Sequence, residues 1–210
     1  MIDSNQNQNL SSLLKDGTSR VHSEIEGSPF MTSFVGGKLH SSDYALYLRN
    51  LQAIYESLES KLEELKNHPN LGRFYIPELF RTKALQLDIE YFNKENHNFR
   101  ITDATREYLN HLDLIYETNV LFLVSHLYVR YLGDLSGGQM LARILRKQFH
   151  LEEGVGDHFY RFDIKDIPGF KKNFREILNS LDLNDSEKQN LVEEAIYAFQ
   201  LNGNLFLSMV

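Results

Sequence analysis

The sequence predicts a single all-α domain. Three observations carry that expectation. Only four prolines (Pro29, Pro69, Pro77, Pro168) punctuate the 210 residues, apolar residues between them recur mostly at three- and four-residue intervals, and neither an internal repeat nor a second composition regime divides the chain. For 24.5 kDa, size scaling lets about 70% of the unfolded chain's surface be buried, enough for one full core.

Residues 1–9 are dominated by Asn, Gln and Ser and read as a flexible start, with the domain spanning residues 10–210. A first helix covers about Leu10 to Glu26. The clearest one carries Tyr44, Tyr47, Leu48, Leu51, Ile54, Tyr55, Leu58, Leu62 and Leu65 on one stripe, with Ser41 and Ser42 as candidate N-caps, and it should stop before Pro69. A poorly periodic segment from Pro77 to Phe92 reads as a third helix, and Thr102 should cap a fourth running to about Glu117. Val120 to Phe149 is long and largely apolar, but Gly133, Gly137 and Gly138 interrupt it, which predicts a kinked or broken helix. His150 to Gly169 reads as a long connection. Helices from Phe170 to Leu181 and from Asp185 to about Leu207 close the chain. The last begins with a capping-box pattern, Asn184 and Glu187, and its apolar stripe reads as Leu191, Ala195, Ile196, Phe199 and Phe206.

Composition removes whole classes of function. The chain has no cysteine, which excludes disulfides, thiolate metal sites, iron–sulfur clusters and cysteine nucleophiles. A net charge of −7 and a pI near 5.6 argue against nucleic-acid binding, which needs a broad cationic face. No apolar run reaches the length of a membrane span and the start lacks an export signal, so the expectation is a cytoplasmic protein without membrane attachment.

Eight histidines invite metal chemistry, yet neither His-Glu-x-x-His nor Glu-x-x-His occurs. What does occur is His22 on the first helix, roughly 80° around the wheel from the apolar line of Leu14, Val21 and Ile25, with Glu26 one turn later. There an imidazole at the edge of a crevice could bind a metal while the carboxylate takes its other N–H; a surface His–Glu pair explains the same spacing. In Gly133-Asp134-Leu135-Ser136-Gly137-Gly138, each interior glycine gives up about 0.5–1 kcal/mol of helix preference. Either close helix packing or the approach of a flat group to the backbone would offset that. Asp134 either caps or stabilises the kink, or is a buried carboxylate that finds its partners mainly through water. Lys171 and Arg175, one turn apart, could clamp an anion or form a solvated face.

Taken together, these residues resemble a known family. Tyr128-Val129-Arg130-Tyr131-Leu132-Gly133-Asp134-Leu135-Ser136-Gly137-Gly138-Gln139 strongly resembles the signature of the haem oxygenases. Arg20-Val21-His22-Ser23-Glu24-Ile25-Glu26 resembles the family's proximal helix and Ala198-Phe199-Gln200-Leu201-Asn202 its last helix, in the right order over roughly residues 10 to 207.

The resemblance implies an all-α fold with haem b, both cofactor and substrate, sandwiched between the first helix and a glycine-kinked distal helix. His22 then matches the iron ligand and Glu26 the carboxylate near its other nitrogen. Gly133, Gly137 and Gly138 match the distal glycines, and Asp134 the residue that organises distal water. Lys15, Tyr128, Lys171 and Arg175 match the group around the propionates; Arg130, Tyr55 and Asn202 match distal polar positions, and Phe199 a pocket wall. Ser19 departs from the basic residue of animal members, and Arg20 lies roughly 100° away around the helix. The implied reaction opens haem to biliverdin, carbon monoxide and ferrous iron. It consumes O2 and electrons from an external donor, a ferredoxin or a flavin-dependent reductase, and the protein is expected to act as a monomer. A non-catalytic haem carrier or sensor on the same fold is the competing expectation, and a helical interaction module without cofactor a third.

Overall fold

In the computed structural model, residues 9–93 and 100–209 are described, and the regular elements among them are all helical. The expected flexible start therefore lies, apart from Asn9, outside the described residues.

Helix α1 (Leu10–Glu26) starts where Asn9 Oδ1 accepts from the Ser12 amide at 3.0 Å. It buries Leu10, Leu14, Thr18 and Val21. A short α2 (Pro29–Val35) follows, which the periodicity did not reveal. Its signal was local: Ser28 accepts from the Met31 amide at 3.3 Å, and Pro29 sits in the first turn, where its missing N–H costs nothing. Helix α3 (Ser41–Glu64) buries the expected stripe from Tyr44 to Leu62 and ends ahead of Pro69, leaving Leu65 as a partly buried C-cap. Its N-cap position is His40, however, so Ser41 and Ser42 lie in the first turn and cap nothing; Asp43 beside them supplies negative charge to the helix N-terminus.

Helix α4 (Thr82–Phe92) is preceded by a 3-10 turn at Pro77–Leu79. Helix α5 (Asp103–Thr118) is capped by Thr102, as expected, through the Thr105 amide at 3.2 Å. The buried Asn50 of α3 ties the two helices together, its Oδ1 accepting from the Thr102 amide at 2.8 Å and the Thr105 hydroxyl at 2.6 Å.

The long apolar segment is broken into α6 (Leu123–Leu127), a π-helical turn (Tyr128–Leu132) and α7 (Gly133–Phe149). The break precedes the glycines instead of falling on them. A π turn accommodates one extra residue and redirects the side chains within it, a feature enriched at functional sites. The following connection is shorter than expected, because α8 (Ile167–Asn179) begins before Phe170. Asp166 caps it by accepting from the Gly169 amide at 2.9 Å, and Pro168 is tolerated in the first turn.

Helix α9 (Asp185–Leu207) opens with both bonds of the capping box, Glu187 amide to Asn184 at 3.0 Å and Asn184 amide to Glu187 at 2.8 Å. Its buried face is Leu191, Val192, Ala195, Ala198, Leu201, Asn202, Leu205 and Phe206, while Ile196 and Phe199 are only partly buried. The expected single stripe was too narrow because α1, α5 and α6 all pack on α9. A Cβ at Gly17 would overlap Val192, so α1 approaches α9 at backbone distance. The aromatic core, including Phe30, Phe34, Tyr44 and Phe206, fills the space between α2, α3 and α9.

Asn184→Ala removes a side-chain cap and its reciprocal partner and should cost about 1 kcal/mol. In a urea titration the midpoint should fall with the slope unchanged.

Candidate functional site

Four residues from three parts of the chain meet around one buried charge. Arg130, on the π turn, is 7% exposed and surrounded by acceptors. Its Nε donates to the Tyr55 hydroxyl of α3 at 3.1 Å and its Nη1 to Asn202 Oδ1 of α9 at 2.5 Å. Asp134, one turn on, lies 3.8 Å from Nη2 and accepts a short hydrogen bond from Tyr55. Asn202 is itself oriented by donating to the Ala198 carbonyl at 2.7 Å.

This corrects the expectation for Asp134: its direct partners are protein groups, Tyr55 and Arg130. The reason is tertiary, since α3 delivers a phenol from 79 residues away. Burial pushes the Asp134 carboxyl above the usual carboxylate range, against the pull of Arg130 and the Tyr55 bond. Burial also pushes the Tyr55 phenol well up. For Arg130, burial works against the charge, but Tyr55 and Asp134 hold it, so the guanidinium remains a permanent cation. Tyr47 belongs to the same cluster, its phenol pushed up to about 12 by burial despite Arg130 nearby. The sequence signal for Tyr47 was faint, a tyrosine where an apolar stripe needs no hydroxyl.

Beside this network a face of the protein is left uncovered. A Cβ built at Gly133 or Gly137 would meet nothing within 4 Å. At Gly138 it would meet Tyr160 Cδ1 at 3.2 Å. Two of the three glycines therefore border open space, and the third admits an aromatic ring from the 3-10 turn His158–Tyr160. That turn is held by Asp88, which accepts from the His158 and Phe159 amides at 3.0 and 2.7 Å.

Helix α1 lines the approach to this open face. His22 is half exposed; its Nδ1 lies 3.5 Å from Glu26 Oε2, an arrangement that turns Nε2 away from Glu26. Its ring meets the edge of Phe199 at 5.4 Å, so α9 fixes its orientation. One turn earlier, Thr18 is buried next to Tyr128, where α1 reaches the π turn. Burial raises the Tyr128 phenol, while Thr18 and the charge of Arg175 pull it down. Lys171 Nζ donates to Ser136 at 3.1 Å, joining α8 to the glycine segment of α7. Lys171 and Arg175 thus come to the same end of the groove as Tyr128. Lys15 is exposed on α1, and Arg20 is turned outward in an ion pair with Glu24 at 2.6 Å, so it does not stand in for Ser19.

His126 is excluded as an alternative ligand for a group in this groove. It is fully buried between Tyr108 and Glu194. This part of the protein therefore offers one half-exposed imidazole, two bare glycine positions, cations near Tyr128 and a buried Arg130–Tyr55–Asp134–Asn202 network beside the glycines. A flat, anionic, metal-bearing molecule fits that set of groups.

Comparison with known proteins agrees with this chemistry. The family model described as Heme oxygenase matches residues 8–208. Heme oxygenase 1 of Gallus gallus is 38% identical over 204 residues, covering 95% of this chain and 69% of that protein. The solved structure of the haem oxygenase from Leptospira interrogans is 41% identical, with a TM-score of 0.90 over 96% of this chain and 100% of that one. A Synechocystis heme oxygenase-1 structure in complex with heme is 34% identical, with a TM-score of 0.91 over 96% and 92% of the two chains.

The glycines separate by what a side chain would touch. In the ligand-free protein, Gly133→Ala and Gly137→Ala should each raise stability by about 0.5–1 kcal/mol, since alanine removes backbone entropy and meets no obstacle. Gly138→Ala should bring no such gain, because Tyr160 must give way. Urea midpoints of the three variants check the ordering.

Proposed function

The chain belongs to the haem oxygenase family, and on that premise we propose that it opens haem b oxidatively to biliverdin, carbon monoxide and ferrous iron in the groove bordered by α1 and α7. The observation that carries the reading is the open glycine face of α7 directly beside the buried Arg130–Tyr55–Asp134–Asn202 network. A carrier would need a ligand and a clamp, but it has no use for a carboxyl held protonatable next to the binding face, which favours the enzyme.

Haem, when bound, supplies the iron at which O2 is reduced and the ring edge that is oxidised. Each residue has a task set by its surroundings. His22 would hold the iron, with Glu26 near its Nδ1 fixing the tautomer. Gly133 and Gly137, which border open space, would admit a flat macrocycle and place no bulky acid beside it; Gly138 supports that helix through its contact with Tyr160. Asp134, its carboxyl fixed in position by Tyr55 and Arg130 and raised above the ordinary range by burial, would relay protons through water toward bound substrate. Asn202 holds Arg130 in turn. Phe199 walls the pocket beside His22. Lys15, Tyr128, Lys171 and Arg175 receive the propionates and set haem orientation.

Electrons come from an external redox protein, a ferredoxin or a flavin-dependent reductase, since the chain has no cysteine to hold an iron–sulfur cluster of its own. No helix among the described residues is long and apolar enough to cross a membrane. The further reading is a monomer working in the cytoplasm.

Aerobic turnover of bound haem with a reductant, followed by identification of the tetrapyrrole, tests the whole reading; recovery of intact haem would overturn it. His22→Ala should lose the wild-type ferric spectrum and regain part of it with added imidazole. Asp134→Ala should bind haem nearly normally yet lose about 10²–10³-fold in biliverdin formation and gain peroxidase-like oxidation of phenols. Asp134→Asn should lose less, and equal yields from wild type and Asp134→Ala would remove Asp134 from the mechanism. Replacing both Lys171 and Arg175 by Ala should broaden the biliverdin isomer mixture more than it weakens haem binding, because clamps at a pocket mouth are partly solvated.

A further inference from the structure

We propose that His111, His126 and Glu194 form a second metal site, remote in role from the groove, for a borderline divalent transition ion such as Zn(II) or Fe(II). The three residues come from α5, α6 and α9, and each brings one ligand atom to a cluster in which all lie within 4.8 Å of one another. Both imidazole Nε2 atoms converge on a single oxygen, Glu194 Oε1, at 2.6 Å from His111 and 2.7 Å from His126. One imidazole would satisfy the burial of that oxygen; two bring three donors to one point.

The donor set decides the class of ion. Two imidazoles and one carboxylate suit zinc and ferrous iron, whereas magnesium and calcium prefer all-oxygen cages. Metal–ligand bonds of about 2.0–2.1 Å place tetrahedral donors about 3.3 Å apart, so the two N···O contacts need to open by about 0.6–0.7 Å while the imidazole nitrogens, within 4.8 Å of each other, draw together. Solvent completes the coordination.

The surroundings supply both support and access. His126 is fully buried, and its Nδ1 lies 3.0 Å from the Tyr108 hydroxyl, the outer contact that characteristically orients a ligating histidine. His111 has a side chain 15% exposed and lies against the ring of the surface residue Tyr197 at 4.7 Å, which gives an ion its route in. Without metal, both Nε2 atoms carry hydrogen and donate to Glu194. On ligation a ring with hydrogen on Nε2 alone moves it to Nδ1, where at His126 the Tyr108 oxygen accepts it, and a ring with hydrogen on both nitrogens releases the Nε2 proton to solvent. Two hydrogen bonds are exchanged for three coordinate bonds, with no change in oxidation state.

The test uses untagged, full-length, haem-free protein. Titration with Co(II) should show one equivalent bound, with the intense ligand-field bands of a four- or five-coordinate ion, and Zn(II) should displace it. Equilibrium dialysis with Zn(II), and anaerobically with Fe(II), identifies the ion retained; retention of either one supports the site. His111→Ala and Glu194→Gln should weaken binding at least about 10-fold, whereas His22→Ala should leave it intact. Circular dichroism checks each fold, and His111→Ala, at the more exposed position, carries the test if the buried Glu194 variant does not fold. No stoichiometric binding by wild type, undiminished binding by His111→Ala, or loss of binding in His22→Ala would each overturn the proposal.

Discussion

The burial of the Arg130 guanidinium is the constraint around which the rest of the structure is arranged. Moving an ion of this size out of water costs several kcal/mol even after relaxation, and the cost is offset only if its donors are met. Tyr55, Asn202 and Asp134 meet them from α3, α9 and the start of α7. The π turn at Tyr128–Leu132 belongs to the same solution, since Arg130 and Asp134 lie on either side of its end and both reach the network. Placing the break there keeps Gly133 onward in regular helix.

The open face of α7 follows from what the other helices do. Helix α1 spends its apolar side on α9, with Gly17 allowing backbone approach to Val192, and meets the π turn where Thr18 lies beside Tyr128. That leaves His22 half exposed and the Gly133–Gly137 surface bare. From the other side, the Asp88-held turn presses Tyr160 against Gly138 and Phe159 against Tyr55. The same packing thus buttresses the glycine helix from behind and steadies the phenol that contacts Asp134.

A helical bundle of this kind separates positioning from access. The Arg130–Tyr55–Asp134–Asn202 network is buried and drawn from separate helices, so its geometry is rigid. The groove itself is bordered by exposed residues, so a large flat substrate can enter without opening the core. Haem oxygenase chemistry needs both properties at once.

Much of this was legible in the sequence because it is local. Helical period, the capping box at Asn184 and Glu187, the Thr102 cap and the His22–Glu26 spacing depend on neighbours within one or two turns, and the structure reproduces them. The glycine-rich segment likewise declared its unusual cost residue by residue. Tertiary structure decided the remainder. That Asp134 is held by a phenol 79 residues away, that Gly138 makes room for Tyr160 while Gly133 and Gly137 face open space, that the helix breaks at the π turn before the glycines, and that His111, His126 and Glu194 converge are all facts about which helix lies beside which. No periodicity encodes them, because the free energy of burying and pairing polar groups is set by partners distant in sequence and becomes defined only once the core has brought the helices together.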